Sequence, residues 1–421
     1  MQSLYPLPVN GFIAKHNLSR ACLGIGLIAT LACVLGLSNS SPPGVSLVGR
    51  STETPKRITP TSYREDPKLE AKNSSQQTYA IVIHGGAGGD PGNFEDKFNA
   101  TRHAALEEAL TLGEKVLANG GQSIDAVEKV IRFLEDHPQF NAGRGAVFTD
   151  QGRFELDASI MLGDHLACGA VASVTTVQHP ISLARAVMEK TKHVLLVSEG
   201  AQEFAKLQDL EIVENDYFWT PEKKKLWQRW KERQGRVGQV QPGDSGEVVE
   251  PPLETRLASN GKWVDIFSGP DFGASYRGTV GCVALDQNGN ICAGTSTGGM
   301  LGKRYGRVGD SPIVGAGTYA DDRYCGISCT GTGEQYIRNA IAYQVVARMR
   351  FADESLDSAV DNVLNELNKG DGGLIGIDHK GNVVAKWNTA AMAHAYRNAN
   401  GERKVVWDPN AKEDKPIGLG E

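Results

Sequence analysis

The chain has 421 residues, of which 22% are charged, and a formal net charge of −6. That length accommodates one large domain or two ordinary ones. The mildly acidic balance gives no basis for nucleic acid or an anionic membrane surface as a partner.

The first 77 residues differ in character from the rest. Cys22 to Leu37 is an apolar run preceded by Lys15 and Arg20 and followed by small polar residues. A basic region, an apolar core and small residues beyond it read as a signal peptide or signal anchor over residues 1–40. This predicts export to the periplasm or the exterior, with a membrane contact only if the segment stays uncleaved. Residues 41–77 are rich in Ser, Thr, Pro and charge and read as a flexible linker. Seven cysteines occur, two of them in the apolar run. The other five lack CxxC spacing, which argues against a zinc site and favours buried thiols over a disulfide framework.

Thr78 to Ile83 is predicted as a strand that runs into His84–Gly85–Gly86–Ala87–Gly88–Gly89. The GxGxxG spacing of a dinucleotide site is absent. Helical periodicity follows over Phe98 to Ala118. A second helix begins after Ser123 as its cap, with Ala126, Val127, Val130, Ile131 and Leu134 on one face. Three hairpins are expected next. Ala146 to Thr149 pairs with Phe154 to Leu162, Val280 to Asp286 with Ile291 to Thr297, and Leu374 to Asp378 with Val383 to Trp387. Further helices are predicted at Ser182 to Lys190, Gly333 to Phe351 and Ser355 to Asn368. The strands are apolar on nearly every residue, so both faces should be covered. The expected fold is α+β, an αββα four-layer sandwich. Residues 208–275 interrupt the pattern with Lys223–Lys224–Lys225, three tryptophans within Trp219 to Trp230 and an acidic Gly/Pro stretch, and read as a solvated surface insertion.

Small and hydroxyl residues are dense between Arg277 and Glu334. An antiparallel hairpin turning at Asn288–Gly289 brings Thr279 beside Thr297. Glycine-rich loops at a strand rim offer backbone N–H groups to an oxyanion. Arg307 can grip a carboxylate in a fork, and Asp310 can hold an ammonium group, as a free amino-acid head requires. The GxSxG, HExxH and SxxK motifs are absent, so serine and zinc hydrolase chemistry has no anchor. A threonine hydroxyl needs a base. An α-amine, with an ordinary pKa of about 7.7–8, supplies one if the chain is cut before Thr279.

The motifs IHGGAG (Ile83 to Gly88), FNAGRGAVFT (Phe140 to Thr149), ELDASIM (Glu155 to Met161) and GTVGCVALD (Gly278 to Asp286) resemble the plant-type asparaginase and isoaspartyl peptidase family of N-terminal nucleophile hydrolases. So do TSTGG (Thr295 to Gly299), GRVGDSP (Gly306 to Pro312) and CTGTGE (Cys329 to Glu334). The resemblance implies autoproteolysis between Gly278 and Thr279. It divides the chain into an α subunit, residues 78–278, and a β subunit, residues 279–421, assembled as a dimer of αβ heterodimers. It implies Thr279 as nucleophile with its own amine as base, Thr297 as support for its hydroxyl, and Thr330 and Gly331 as oxyanion hole. It assigns Arg307 to the substrate α-carboxylate and Asp310 to the α-amine. The substrate site is lined by Arg307, Val308, Gly309 and Asp310 on one side and by Thr330, Gly331, Thr332 and Gly333 on the other. No cofactor is required. A structural sodium ion would be held by backbone carbonyls of a loop matching Leu134, Glu135, His137, Phe140, Ala142 and Arg144.

The implied reaction cleaves β-aspartyl dipeptides and L-asparagine to release L-aspartate. Glycosylasparaginase, which opens the same linkage beneath a sugar, is the alternative, although its nucleophile motif usually reads Thr-Ile-Gly. An inactive exported binding protein is a third reading, opposed by the intact set Thr279, Thr297, Arg307, Asp310 and Thr330. Arg277 stands where His or Asp is frequent, which leaves the efficiency of cleavage open.

Overall fold

A computed structural model describes residues 78–88, 96–237, 256–257, 263–264 and 278–406. The expected signal segment and linker, residues 1–77, and Arg277 lie outside the described residues. Among those described, no helix is long and apolar enough to cross a membrane.

The elements run β1 (Ala80–Gly88), α1 (Asp96–Ala118), α2 (Ser123–Asp136), β2 (Leu156–Leu162), β3 (Cys168–Val174), α3 (Pro180–Lys190), β4 (Leu195–Val197), α4 (Ser198–Leu207) and α5 (Pro221–Val237). Two short strands, β5 (Arg256–Leu257) and β6 (Trp263–Val264), pair with each other. There follow β7 (Val280–Leu285), β8 (Ile291–Thr297), β9 (Thr318–Asp321), β10 (Cys325–Gly331), α6 (Gly333–Asn339), α7 (Ile341–Ala352), α8 (Leu356–Glu366), β11 (Gly372–Asp378), β12 (Val383–Trp387), β13 (Ala391–Arg397) and β14 (Arg403–Val406).

Eight strands form one sheet in the order β14-β13-β1-β7-β8-β2-β3-β4, and four form another in the order β12-β11-β10-β9. Strand periodicity explains how both faces become apolar. In β1, Ile81 and Ile83 join a core with α1 and α2, while Ala80 and Val82 join Ile375 and Ile377 of β11 in a second core between the sheets. In β10, Cys325, Ile327 and Cys329 point the other way, onto the buried faces of α7 and α8. Helix α2 lies close on β8 because Gly294 has no side chain there. A Cβ at that position would meet Val127 at 2.7 Å and Ile131 at 2.8 Å.

The second and third predicted hairpins are present as β7–β8 and β11–β12. The first is not. Ala146 to Thr149 forms no strand, and β2 pairs instead with β3 and β8. Asn141 accounts for this, because its side chain accepts from the Val147 N–H and withdraws that segment from strand pairing. Ser123 is not the cap of α2. It is the first helical residue, and its N–H donates to Asp286 rather than to a local cap. The predicted helix from Gly333 to Phe351 is two helices, broken where Ala340 turns left-handed at φ 47°.

The largest correction concerns the stretch from 208 to 237, which is not a solvated insertion. Trp230 is 3% exposed and belongs to the main core, and Leu210, Val213, Leu226 and Trp227 pack against it. Trp227 stacks on Phe148 and donates to the Thr149 carbonyl. The charged residues that suggested a solvated face include Lys231, which reaches Asp150 at 2.8 Å. All five described cysteines are free thiols; Cys282, Cys292, Cys325 and Cys329 are buried.

Candidate active site

The β7–β8 register pairs Val280 with Ser296, which puts Thr279 opposite Thr297 at one rim of the large sheet. Their hydroxyl oxygens are 2.9 Å apart. Thr297 also accepts from the Gly299 N–H at 3.1 Å, so its own proton is available to the Thr279 oxygen. The carbonyl of Gly278 accepts from the Asn141 N–H at 2.9 Å. Asn141 is pinned on every side: its carbonyl accepts from Gly298 N–H, and its amide donates to the Gly299 carbonyl at 2.7 Å. The bond between Gly278 and Thr279 is therefore clamped on its carbonyl side and faced by paired hydroxyls on the other. Sequence reasoning missed Asn141; the only available signal was its place in a glycine-rich turn.

Thr330 and Gly331 end β10. Thr330 is buried, and its hydroxyl accepts from the Ala87 N–H at 3.3 Å. Gly331 has φ +157°, and a Cβ there would press on the Asp371 carbonyl and Gly372. Gly333 seats the next turn against the other half of the site: its missing Cβ would lie 2.9 Å from the Arg307 guanidinium and 3.0 Å from the Asp310 nitrogen. The segments from Arg307 through Val308 and Gly309 to Asp310, and from Thr330 through Thr332 to Gly333, thus meet at Gly333. The Thr332 hydroxyl is buried without a partner among the described residues.

Arg307 and Glu334 join in a fork, Nε to Oε1 and one terminal nitrogen to Oε2, both at 2.9 Å. Burial disfavours the Arg307 cation, but the Glu334 hydrogen bonds and charge outweigh it and raise the pKa. For Glu334, burial raises and the Arg307 hydrogen bond and charge lower; the net shift is downward. Sequence reasoning did not assign Glu334 a role. Asp310 is the converse case. Burial drives its pKa up to about 7, partly opposed by a backbone hydrogen bond and the Arg307 charge, and its Oδ2 is buried without a partner among the described residues. An orphaned carboxylate oxygen beside a fixed guanidinium suits an incoming ammonium group.

Lys303 supports the loop between these parts. Its Nζ donates to the Glu155 carbonyl at 2.8 Å and lies 3.7 Å from Asp157, which pairs in register with Thr297. The expected carbonyl loop is closed on itself. Glu135 O accepts from Arg144 N–H, Leu134 O from His137 N–H, and His137 O from Phe140 N–H. Among the described residues, no cluster of three His, Cys, Asp or Glu side chains offers a metal site.

A family model described as Asparaginase matches residues 77–407. A protein of Arabidopsis thaliana named probable isoaspartyl peptidase/L-asparaginase 2 is 41% identical over 332 residues, 78% of this chain and 99% of its own length. The isoaspartyl peptidase of Salmonella typhimurium is 41% identical over 320 residues, covering 75% of this chain and 94% of that protein. The plant-type L-asparaginase of Pyrococcus abyssi is 40% identical over 321 residues, covering 75% and 95%. The chain belongs to the asparaginase family that these isoaspartyl peptidases and plant-type asparaginases share.

Proposed function

We propose that this protein is an isoaspartyl peptidase and L-asparaginase that cuts its own Gly278–Thr279 bond and then uses Thr279 to hydrolyse β-aspartyl amides. The observation that carries the reading is the 2.9 Å approach of the Thr279 and Thr297 hydroxyls at a peptide bond whose carbonyl Asn141 already holds. In the first reaction, Thr279 Oγ1 attacks the Gly278 carbonyl carbon and its proton passes to the Thr279 nitrogen. The amide becomes an ester as the C–N bond breaks. Water then hydrolyses the ester, leaving a Gly278 carboxylate and a free Thr279 amine. The Asn141 N–H stabilises the oxyanion of this step.

In the second reaction, the free amine is the base. Arg307 holds the substrate α-carboxylate and Asp310 its α-ammonium, which presents the side-chain carbonyl to Thr279. A β-aspartyl ester forms, the amine or ammonia leaves, and water releases L-aspartate. Thr330 and Gly331 serve as the oxyanion hole of this step. Helices on the outer face of each sheet support an αββα sandwich, and the relatives' names support the substrate class.

A structural monovalent cation held by the 134–144 carbonyls belongs to the same proposal. A Cβ on Gly145 would lie 2.5 Å from both the Phe140 and Pro138 carbonyl oxygens, so oxygens crowd one small space. Carbonyl donors suit a hard cation, whose part would be to order the Asn141 loop. A higher thermal midpoint in sodium than in choline chloride is the expected result. Assembly as a dimer of αβ heterodimers, expected to give a light-scattering mass near twice that of one chain, and export through residues 1–40 complete the proposal.

The deciding experiment is a denaturing gel of purified protein followed by assays on β-Asp-Leu, L-asparagine and a GlcNAc-asparagine. We expect two bands and activity on the first two substrates. A single uncut, inactive band overturns the proposal, and a preference for the third selects glycosylasparaginase. Thr279→Ala is expected to remain uncut.

A further inference from the structure

The apolar contact between the two sheets is interrupted by one line of polar side chains. His84 Nδ1 lies 3.0 Å from the Thr279 carbonyl, and its Nε2 lies 3.1 Å from Ser328 Oγ. Ser328 Oγ is 2.6 Å from Thr295 Oγ1, which is 2.6 Å from Thr318 Oγ1. Thr318 Oγ1 is 2.8 Å from Ser159 Oγ, which donates to the Ser311 carbonyl at 2.5 Å. A side branch runs from Thr295 to the Gly317 carbonyl at 3.2 Å. All five side chains are fully buried. The line begins on the backbone of Thr279 and ends on the residue after Asp310. It crosses from β1 to β10, back to β8, over to β9 and back to β2.

We propose that Ser159, Thr295, Thr318 and Ser328, with His84, are positioning residues that hold the Thr279 strand end and the Asp310–Ser311 turn at a fixed separation. The inference rests on the reaction proposed above. A buried polar chain is costly unless every group is satisfied, so its persistence in an apolar layer calls for a return other than stability. Here it is not fully satisfied. Six contacts lie between two carbonyl oxygens and the Gly317 branch adds a seventh, yet neutral His84 and four hydroxyls supply five protons. Burial pushes His84 down to about 3, so the ring supplies no sixth. Two of these contacts are always without a hydrogen, and the hydroxyls must orient as a set. The two ends are thereby coupled.

The count gives a test that separates positioning from simple structural support. Thr318→Val keeps the shape but removes two contacts and one proton. Counting the Gly317 branch, five contacts and four protons remain, so the shortage falls from two to one while the line is cut. Among the described residues, the Thr318 hydroxyl bonds only Ser159 and Thr295, not Thr279 or the Arg307–Asp310 segment. Kinetics on β-Asp-Leu and thermal unfolding of the self-cleaved enzyme should show kcat/KM reduced about 10- to 100-fold, the cost of a small misplacement, with a thermal midpoint no lower than wild type. Thr318→Ser restores the oxygen and should recover activity to within about threefold. Wild-type kinetics in Thr318→Val, a midpoint that falls with its activity, or failure of Thr318→Ser to recover overturns the proposal. Should Thr318→Val not fold, Ser159→Ala cuts the next link and carries the same kinetic expectation. If wild type is inert on β-aspartyl substrates, the substrate reading fails instead. Self-cleavage rates of wild type and Thr318→Val then read the Thr279 end alone, where equal rates overturn the network.

Discussion

Arg307 meets Glu334 through two parallel hydrogen bonds of 2.9 Å, so the guanidinium is aimed and charged before any substrate arrives. A planar fork held along one edge keeps its remaining donors in a fixed direction. Glu334→Gln keeps the shape and removes the charge that offsets burial of Arg307. Its expected effect is a rise of about tenfold in KM for β-Asp-Leu with kcat nearly unchanged, since each tenfold corresponds to about 1.4 kcal/mol and one charge-assisted contact is weakened. Arg307→Lys loses the fork itself and should cost about 100-fold in kcat/KM. An unaltered KM in Glu334→Gln would show that Arg307 is aimed by something else.

The pH profile should carry the signature of Asp310. Its pKa in the empty site is raised to about 7 by burial. Below that pH the carboxyl is protonated and cannot pair with an ammonium group. The Thr279 amine must also be neutral, with an ordinary pKa of about 7.7–8. The acid side of log kcat/KM should therefore rise with a slope of about two. Bound ammonium keeps Asp310 ionised, so log kcat should rise with a slope of about one. Equal slopes in the two profiles would remove Asp310 from the site.

Asn141 is expected to govern self-cleavage. Its backbone N–H meets the Gly278 carbonyl, and its side chain fixes that N–H by bonds to Val147 and Gly299. Asn141→Ala frees the turn and should slow cleavage by about 10- to 100-fold, comparable with loss of one oxyanion donor. A time course of the precursor band on a gel measures this directly.

Trp230 ties the part of the chain before Gly278 to the part after it. A Cβ on Gly302 would fall within the space of the Trp230 ring, and Arg304 and Lys231 both reach Asp150. Trp230→Ala should cost about 3–5 kcal/mol, as for other large core truncations, and lower the thermal midpoint. Gly302→Ala should be nearly as harmful, because φ +73° and the ring both oppose a side chain. A midpoint unchanged in both variants would mean that α5 does not stay docked.

The sequence by itself determined the β7–β8 hairpin, and with it the meeting of Thr279 and Thr297, because two apolar runs joined by a short Gly turn pair in the register that the turn length sets. It also determined the segments that carry Arg307, Asp310, Thr330 and Gly331, whose glycines and charges mark them locally. Tertiary structure decided what no local pattern encodes. Ala146 to Thr149 has the composition of a strand, but Asn141 takes its Val147 N–H. The lysine-rich run at Lys223 reads as surface until Trp227 and Trp230 find Phe148 and Gly302. Glu334, His84 and Thr318 look like ordinary helix and strand residues; their partners lie at separations of 23 to 244 residues. Periodicity reports which face of an element is apolar. Which hydroxyl or carboxylate waits across the gap is fixed only when the two sheets close on each other.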